Sequence, residues 1–488
     1  MRSRPVINHH LHLFAGPSLG LTTQTRLSAE GIVLHQPIGR GDIQALIKDE
    51  PDALIAIADG LFHQRPAVGH AEIRDAIRSG ARIWGLCSIG AIRAVELGHV
   101  GMCGFGDVFQ AFHANPALPD DEVTLLHLPN YPYTAISEPL IHWRHYLQCQ
   151  EESGVLSAPA KEHILSHMSC RWYGERTVEY GSCLLAKFGN ILINPRDLDL
   201  ALNPHRIKYL DLQKFIELRP WEIKNPVSYT SKSLSCSKIK LTELGGLPFI
   251  DDDFDASRFL SIVAGTRAGW LEPSRGRDDY LRLLSPEHVC EVASSKVFRQ
   301  DLIPDCSALT EKESAWVNTA LREVKVRSKS LAPLFELPIR LLRWQCQKIS
   351  MTNPKIPQTI FLGEGALQSS FGILEEVLVH EFAHVWMGMM CELLDLQHRD
   401  AKQIHTLPSG TGSKDARGVL LALHFSCAVH RYLLESATTV PLIGRRAERL
   451  HYVLWYMRQA TKIPIGADLS PLGQAVFDRM SHYAASYV

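Results

Sequence analysis

The chain has 488 residues, 45% of them apolar and 21% charged, which is material for about two to four globular domains. Its 51 lysines and arginines cancel 52 aspartates and glutamates to a net charge of −1, which excludes attachment to nucleic acid or to an anionic membrane through bulk charge. No apolar run approaches the ~20 residues that span a bilayer. The eleven cysteines form no Cys-x-x-Cys pair, so neither a disulfide framework nor a cysteine zinc knuckle is expected, and the chain reads as cytoplasmic.

Leu11 to Phe14 is a short apolar stretch that runs into the turn Ala15-Gly16-Pro17-Ser18. Asp52-Ala-Leu-Ile-Ala-Ile-Ala-Asp59-Gly60 has the pattern of a buried strand ending in a turn. Val68 to Ser79 has helical spacing, Ala81 to Cys87 reads as a strand and Ile89 to Leu97 as a helix. Alternation of this kind predicts parallel βαβ units. Binding sites in such sheets lie at the carboxyl ends of the strands, so Asp59, Ser88 and the Gly16-Pro17-Ser18 turn are expected on one edge.

From about Glu138 to Arg219 the pattern is helical. Asn225-Pro226, the Ser/Lys stretch from Tyr229 to Lys240, Gly245-Gly246 and Asp251-Asp252-Asp253 suit a linker. The expected organisation is therefore an α/β domain over residues 1–222 (α/β core to about 130, then a helical extension), a linker over 223–256, and a mainly α-helical domain over 257–488 with breaks at Pro304, Pro333, Pro354 and Pro357.

Within the last of these, His380-Glu381-Phe382-Ala383-His384 lies in a proline-free stretch from Ile373 to Leu394. Residues four apart share a helix face, so both imidazoles can grip one divalent ion, and Glu381 can polarise a ligand or act as general base. The flanks Val377, Leu378, Val379, Val385 and Trp386 make this a buried helix, where unpartnered histidines are costly. A third ligand is required, and Glu392, His398, His405, His424, His430 and Glu435 are the candidates. Asp415 to His430 reads as a second buried helix. On it His424 lies among Leu420, Leu421, Leu423 and Ala428, while His430, about 120° away, is expected on a solvated face with Arg431. His424 is the preferred ligand, Glu435 the next, and a lone core histidine the competing reading. Imidazole suits both iron(II) and zinc.

His380-Glu-Phe-Ala-His384, followed about thirty residues later by Asp415-Ala-Arg417-Gly418-Val-Leu, resembles the HExxH-motif proteins encoded with ribosomally made, post-translationally modified peptides, over roughly residues 250–488. The resemblance implies metal-dependent modification of a precursor peptide. In some members it implies iron and 2-oxoglutarate-dependent β-hydroxylation, with Arg417 as anchor for the co-substrate carboxylate. The competing chemistry is zinc hydrolysis by a metallopeptidase that trims the precursor, with Glu381 activating a water.

Leu86-Cys87-Ser88-Ile89-Gly90 sits where a strand passes into a helix, the setting of a nucleophile elbow. Asp59, His63, His70 and Glu72 are potential partners for Ser88, whose plainer reading is a helix N-cap. Arg93 and Glu96, three apart, are placed to pair with each other. Phe14-Ala-Gly-Pro-Ser-Leu19, Arg40-Gly-Asp42, Ala58-Asp-Gly60, His70-Ala-Glu-Ile73, Cys87-Ser-Ile-Gly-Ala-Ile-Arg-Ala-Val-Glu-Leu97, Gly101-Met102 and Asp120-Asp-Glu-Val123 follow in order and together resemble the TfuA-like family, over roughly residues 10–180. That resemblance implies partnership with a YcaO-type enzyme, which converts a backbone amide to a thioamide with ATP. It also implies help in sulfur delivery from the thiocarboxylate of a sulfur-carrier protein. Acyl transfer of this sort needs a nucleophile or activated water and an oxyanion site, for which Ser88 supplies a hydroxyl and Asp59, His70 and Glu72 supply proton transfer or orientation.

The sequence thus predicts a two-part peptide-maturation enzyme with a precursor peptide and a YcaO-type enzyme as partners and no nucleic acid or membrane. The alternative outside catalysis is an adaptor that only recruits the YcaO enzyme.

Overall fold

The computed structural model describes residues 10–20, 22–60, 66–115, 118–222, 241–265, 306–346, 349–353, 356–398, 401 and 403–487. Two compact units emerge, one of Met1–Phe62 with Glu72–Ser233, the other of His63–Ala71 with Leu234–Val488.

In the first unit, β1 (Leu11–Phe14), β2 (Ile32–His35), β3 (Leu54–Ile57), β4 (Arg82–Gly85) and β5 (Cys103–Gly104) form one parallel sheet in the order β2-β1-β3-β4-β5. All four residues of β1 and of β3 are buried, as expected of strands covered on both faces; β3 is an unbroken apolar run, and in β1 the buried His12 is partnered by His35 and Glu50. The crossovers carry α1 (Gln24–Ala29), α2 (Asp42–Asp49), α3 (His70–Ser79), α4 (Ile89–Leu97) and α5 (Gly106–Ala114). Strand order reverses between β1 and β3, so a crevice is expected beyond Phe14 and Ile57. The helical extension follows as α6 (Leu140–Glu152), α7 (Ala158–Ser169), α8 (Val178–Gly189), α9 (Pro195–Leu202) and α10 (Ile207–Leu218). Helices α6 to α9 share a core around Trp143, Leu147, Ile164 and Leu185. The last helix returns to the sheet: Leu212, Phe215 and Ile216 pack with Leu11, Leu13, Trp84 and Leu86.

The second unit is mainly α-helical, as its sequence suggests, with one small sheet beside the helices. Its helices are α11 (Ala256–Gly265), α12 (Glu311–Arg327), α13 (Glu364–Leu367), α14 (Phe371–Leu393), α15 (Ala416–Ser436), α16 (Arg445–Ala460) and α17 (Pro471–Ala485). Beside them β6 (Cys306–Ala308), β7 (Arg340–Trp344), β8 (Ser350–Asn353) and β9 (Ile356–Leu362) form a sheet in the order β6-β7-β9-β8. Pro357, read as a helix break, is the second residue of the buried central strand β9. Helix α14 is the hub of the core, with Leu378, Phe382, Trp386 and Met390 buried among α12, α15 and β9. The expected linker differs from its sequence reading as well. Residues 223–240 and Pro304 lie outside the described residues, but Leu244, Leu247, Phe249 and Ile250 are buried in this core.

Candidate functional site

Two constellations stand out, one in each unit. In the first, Gly90 lets α4 press its opening turn against β3: a Cβ there would meet the Ile57 carbonyl oxygen at 1.7 Å. The turn leading into that helix is made by Cys87, whose φ of 64° is left-handed. Ser88 follows at the N-cap position but makes no capping hydrogen bond with its side chain. Its hydroxyl instead donates to the Val123 carbonyl at 3.4 Å. The amides of the first turn of α4 therefore have no cap from Ser88 and remain suited to an anion. The N-cap reading holds for the position of Ser88 and not for its hydroxyl.

Lys208, at the start of α10, reaches the same point. Its Nζ donates to the Val123 carbonyl at 3.0 Å and lies 3.4 Å from Asp59 Oδ1, with both side chains about 3% exposed. The carboxylate of Asp59 also accepts from the Gly16 and Ser18 amides, each at 2.9 Å, and from the Ser18 hydroxyl at 2.8 Å. Asp59 thus ties the turn after β1 to the end of β3 and sets a negative charge beside Lys208. Behind the lysine, His142 Nδ1 meets Glu138 Oε2 at 2.8 Å, and its Nε2 takes the Lys208 backbone N–H at 3.4 Å. Burial holds the His142 imidazole below its usual range, in keeping with a neutral ring that donates at Nδ1 and accepts at Nε2.

Of the sequence candidates, Asp59 and Ser88 do share the carboxyl edge of the sheet. Glu72 takes a different role, with Oε2 accepting the Gly41 amide at 2.9 Å in the turn that also holds Asp42 against the Gly39 amide. His70 is buried at the start of α3 and falls with the second unit, and His63 lies outside the described residues. Arg93 pairs with Glu96 at 2.6 Å, as their spacing predicts. Burial, then Asp211 and Asp59, push the Cys87 thiol well above its usual range, which disfavours the thiolate, and its Sγ contacts the Lys208 carbonyl. Lys208 was missed. The available signal was its place on an apolar stripe with Leu212 and Phe215, where a lysine is rarely buried without a task.

In the second unit, α14 does present His380 and His384 on one face, their Nε2 atoms 3.0 Å apart. The ring of Phe425 covers them, with centroids 4.0 Å from His380 and 5.1 Å from His384. Burial lowers both imidazoles, His380 to about 4, which favours their neutral forms. Glu381 has Oε1 3.8 Å from His380 Nε2 and accepts the Ser350 hydroxyl at 2.7 Å. Burial pushes its carboxyl up to about 7 against the pull of the Ser350 and Thr352 hydroxyls. Strand β8, at the edge of the sheet, supplies both hydroxyls from alternate positions on one face. His380 and His384 open on a cavity of about 370 Å³ lined also by Lys414, Arg449, Tyr452 and Tyr456.

The two histidines fit as two ligands of one ion. Among the described residues, no third His, Cys, Asp or Glu donor joins them within ligand range. His424 Nε2 is 2.7 Å from the Pro248 carbonyl, as a core histidine would be. His430 is buried rather than solvated, with Nδ1 3.1 Å from the Tyr483 hydroxyl, because α17 covers that face of α15. Arg431 is also buried, and donates to Glu435 and to the Ile250 carbonyl. Glu435 further accepts from Ser328 and Ser330. His405 Nε2 lies 3.5 Å from Asp468 Oδ2. Glu392 stands about 12 Å along α14 from His384 at 1.5 Å per residue, and His398 is exposed. Arg417 holds the Asp415 carboxylate at 3.1 Å, and that carboxylate caps α15 through the Gly418 amide. Among the described residues, Lys414 and Arg449 are the cations that line the cavity with the histidine pair.

Residues 59–177 match the family model described as TfuA-like protein. This range holds Asp59, Ser88 and Val123 and ends before Lys208. No curated protein matches the chain. Among the described residues, no helix is long and apolar enough to cross a membrane.

Proposed function

We propose that the first unit, as a TfuA-like domain, releases sulfide from the thiocarboxylate of a sulfur-carrier protein for a YcaO-type enzyme that thioamidates a precursor peptide. The observation that carries this is the meeting of the Ser88 hydroxyl and the Lys208 ammonium group at the Val123 carbonyl, beside a helix N-terminus left without a side-chain cap. Ser88 Oγ attacks the thiocarboxylate carbon, the Lys208 ammonium group gives a proton to the departing sulfur, and the amine so formed takes the Ser88 proton and is ammonium again. The C–S bond breaks and hydrosulfide leaves. Negative charge on the carbonyl oxygen is met by the first amides of α4 and by Lys208. Water then cleaves the Ser88 ester, returning the hydroxyl and freeing a carboxylate. Asp59 positions Lys208, and His142 fixes the backbone that carries it.

The test is sulfide release from a thiocarboxylated carrier by the full-length protein and by Ser88→Ala and Lys208→Met. Loss of a general acid–base group costs about 10²–10⁴-fold, so both variants are expected to fall by at least about 100-fold while retaining their circular dichroism. Full sulfide release by Ser88→Ala would overturn the assignment.

For the second unit we propose metal-dependent modification of the same peptide. His380 and His384 would supply two ligands of the ion, iron(II) or zinc, with water or the peptide completing its coordination, and the ion when bound would supply Lewis acidity. Glu381, beside His380 and held by the Ser350 hydroxyl, would accept a proton next to the ion. An extended peptide can pair with the outer edge of β8 and so pass the Ser350 and Thr352 face. Lys414 and Arg449 supply positive charge for a carboxylate, of the peptide or of a co-substrate such as 2-oxoglutarate. Metal analysis of anaerobically purified protein against His380→Ala, followed by mass spectrometry of the treated precursor, tests this reading. A gain of one oxygen supports hydroxylation and a fragment pair supports trimming by a zinc peptidase. An unaltered peptide with no retained metal leaves the adaptor.

A further inference from the structure

Away from both constellations, the helical extension of the first unit gathers three soft donors. His145 and Cys149 are four residues apart on α6 and share a face. His205, in the short turn Asn203–His205 after α9, faces them. The Nδ1 atoms of His145 and His205 are 3.0 Å apart, and with a Cys149 ligand atom all three donors lie within 4.8 Å of one another. Tyr146 sets the His205 ring by an edge contact with centroids 5.3 Å apart.

We infer that His145, Cys149 and His205 form a zinc(II) site. Zinc takes nitrogen at about 2.0–2.1 Å and thiolate sulfur at about 2.3 Å in tetrahedral array, so neighbouring donors stand about 3.3–3.7 Å apart. The observed cluster reaches that spacing by small side-chain rotations. Two imidazoles and one thiolate suit zinc over the hard cations magnesium and calcium. Two ring nitrogens pointed at each other can share only one proton, whereas a cation between them satisfies both. Cys149 binds as thiolate and releases its proton to solvent. Three protein ligands leave the fourth position for water on a partly exposed surface.

The consequence is mechanical. The ion staples α6 to the turn at 203–205, three residues ahead of Lys208, and closes a long loop between them. The site is independent of the second unit.

Cobalt(II) serves as the probe, because thiolate ligation gives a charge-transfer band in the near ultraviolet. The full-length protein carrying His380→Ala and His384→Ala, stripped by chelator, is expected to take up one equivalent of cobalt with that band and to yield it to zinc. Cys149→Ser should remove the band, and His205→Ala should weaken uptake by at least about 100-fold, beyond the 10- to 100-fold typical of outer-shell changes. Zinc should raise the thermal unfolding midpoint of the parent and not of Cys149→Ser, a comparison that also verifies that each variant folds. Absence of the band in folded parent protein would overturn the site, as would a band of equal strength in Cys149→Ser.

Discussion

Replacing Gly90 by alanine tests whether the contact between α4 and β3 positions the Ser88 hydroxyl. The new Cβ would stand 1.7 Å from the Ile57 carbonyl oxygen and 2.6 Å from its carbon, both backbone atoms of β3, so no side chain can rotate aside. Ordinary contact begins at 3.4 Å, and the first turn of α4 must retreat by roughly 1.5 Å. Overpacking of this kind costs about 1–3 kcal/mol. For a domain of this size each kcal/mol lowers Tm by about 2–4 °C. The retreat also draws Ser88, one residue before the helix, away from Lys208 and Val123. A misplacement of about 1 Å at a reacting group costs on the order of 100-fold in rate. Differential scanning calorimetry and sulfide release from a thiocarboxylated carrier read the two effects separately. An unchanged Tm together with an unchanged rate would refute the reasoning. A lowered Tm with full activity would keep the packing argument and discard the positioning one.

Gly388 gives the opposite expectation: it lies inside α14 with nothing within 4 Å of a Cβ, so Gly388→Ala should stabilise by about 0.5–1 kcal/mol in urea unfolding, and a loss of stability would contradict this. Asp211 accepts the Asp107 and Val108 amides at the start of α5, and burial pushes its carboxyl from 3.8 up to about 6. The folded state therefore holds this proton more tightly than the unfolded chain. The resulting stability is full below 3.8 and is lost as pH rises through about 6, a change of about 3 kcal/mol at 1.36 kcal/mol per pH unit. Unfolding free energies from pH 3 to 8 should show that fall in the parent and a flatter profile in Asp211→Asn. Arg176, wholly buried, donates to the Met168 and Asp121 carbonyls and to the Asp121 carboxylate at 2.6 Å. Arg176→Met should cost about 3–5 kcal/mol by leaving those groups unpaired, and a midpoint within 1 kcal/mol of the parent would argue against it.

The parallel sheet was legible mainly through β3, a short unbroken apolar run buried on both faces, and through the alternation of such stretches with helical patterns; the edge strand β2, only partly buried, carried no such signal. The same alternation places Asp59 and Ser88 on one edge of the sheet. Lys208 was not legible as a partner, since it arrives from the far end of a helical extension whose return to the sheet is decided by Leu212, Phe215 and Ile216. The sheet in the second unit escaped for a different reason. Strand β7 is five residues of weak alternation, and prolines flank or enter its neighbours, so local pattern favoured helix breaks over strands.

The histidine pair shows where local pattern stops. Spacing of four on one helix is enough to bring His380 and His384 together, because helix geometry alone does so. A third donor depends on which face of a neighbouring helix turns inward, and α15 turns nearly every face inward. Its His424 meets a carbonyl from the segment read as linker, and its His430 meets a tyrosine from α17. Periodicity identifies an apolar face but not the polar atom awaiting each buried polar group. The same gap separates the two roles of Ser88, since an N-cap and a nucleophile occupy the same position in the pattern. What the pattern does not contain is the Val123 carbonyl, which accepts both the Ser88 hydroxyl and the Lys208 ammonium group and so turns the hydroxyl from the amides it would otherwise cap.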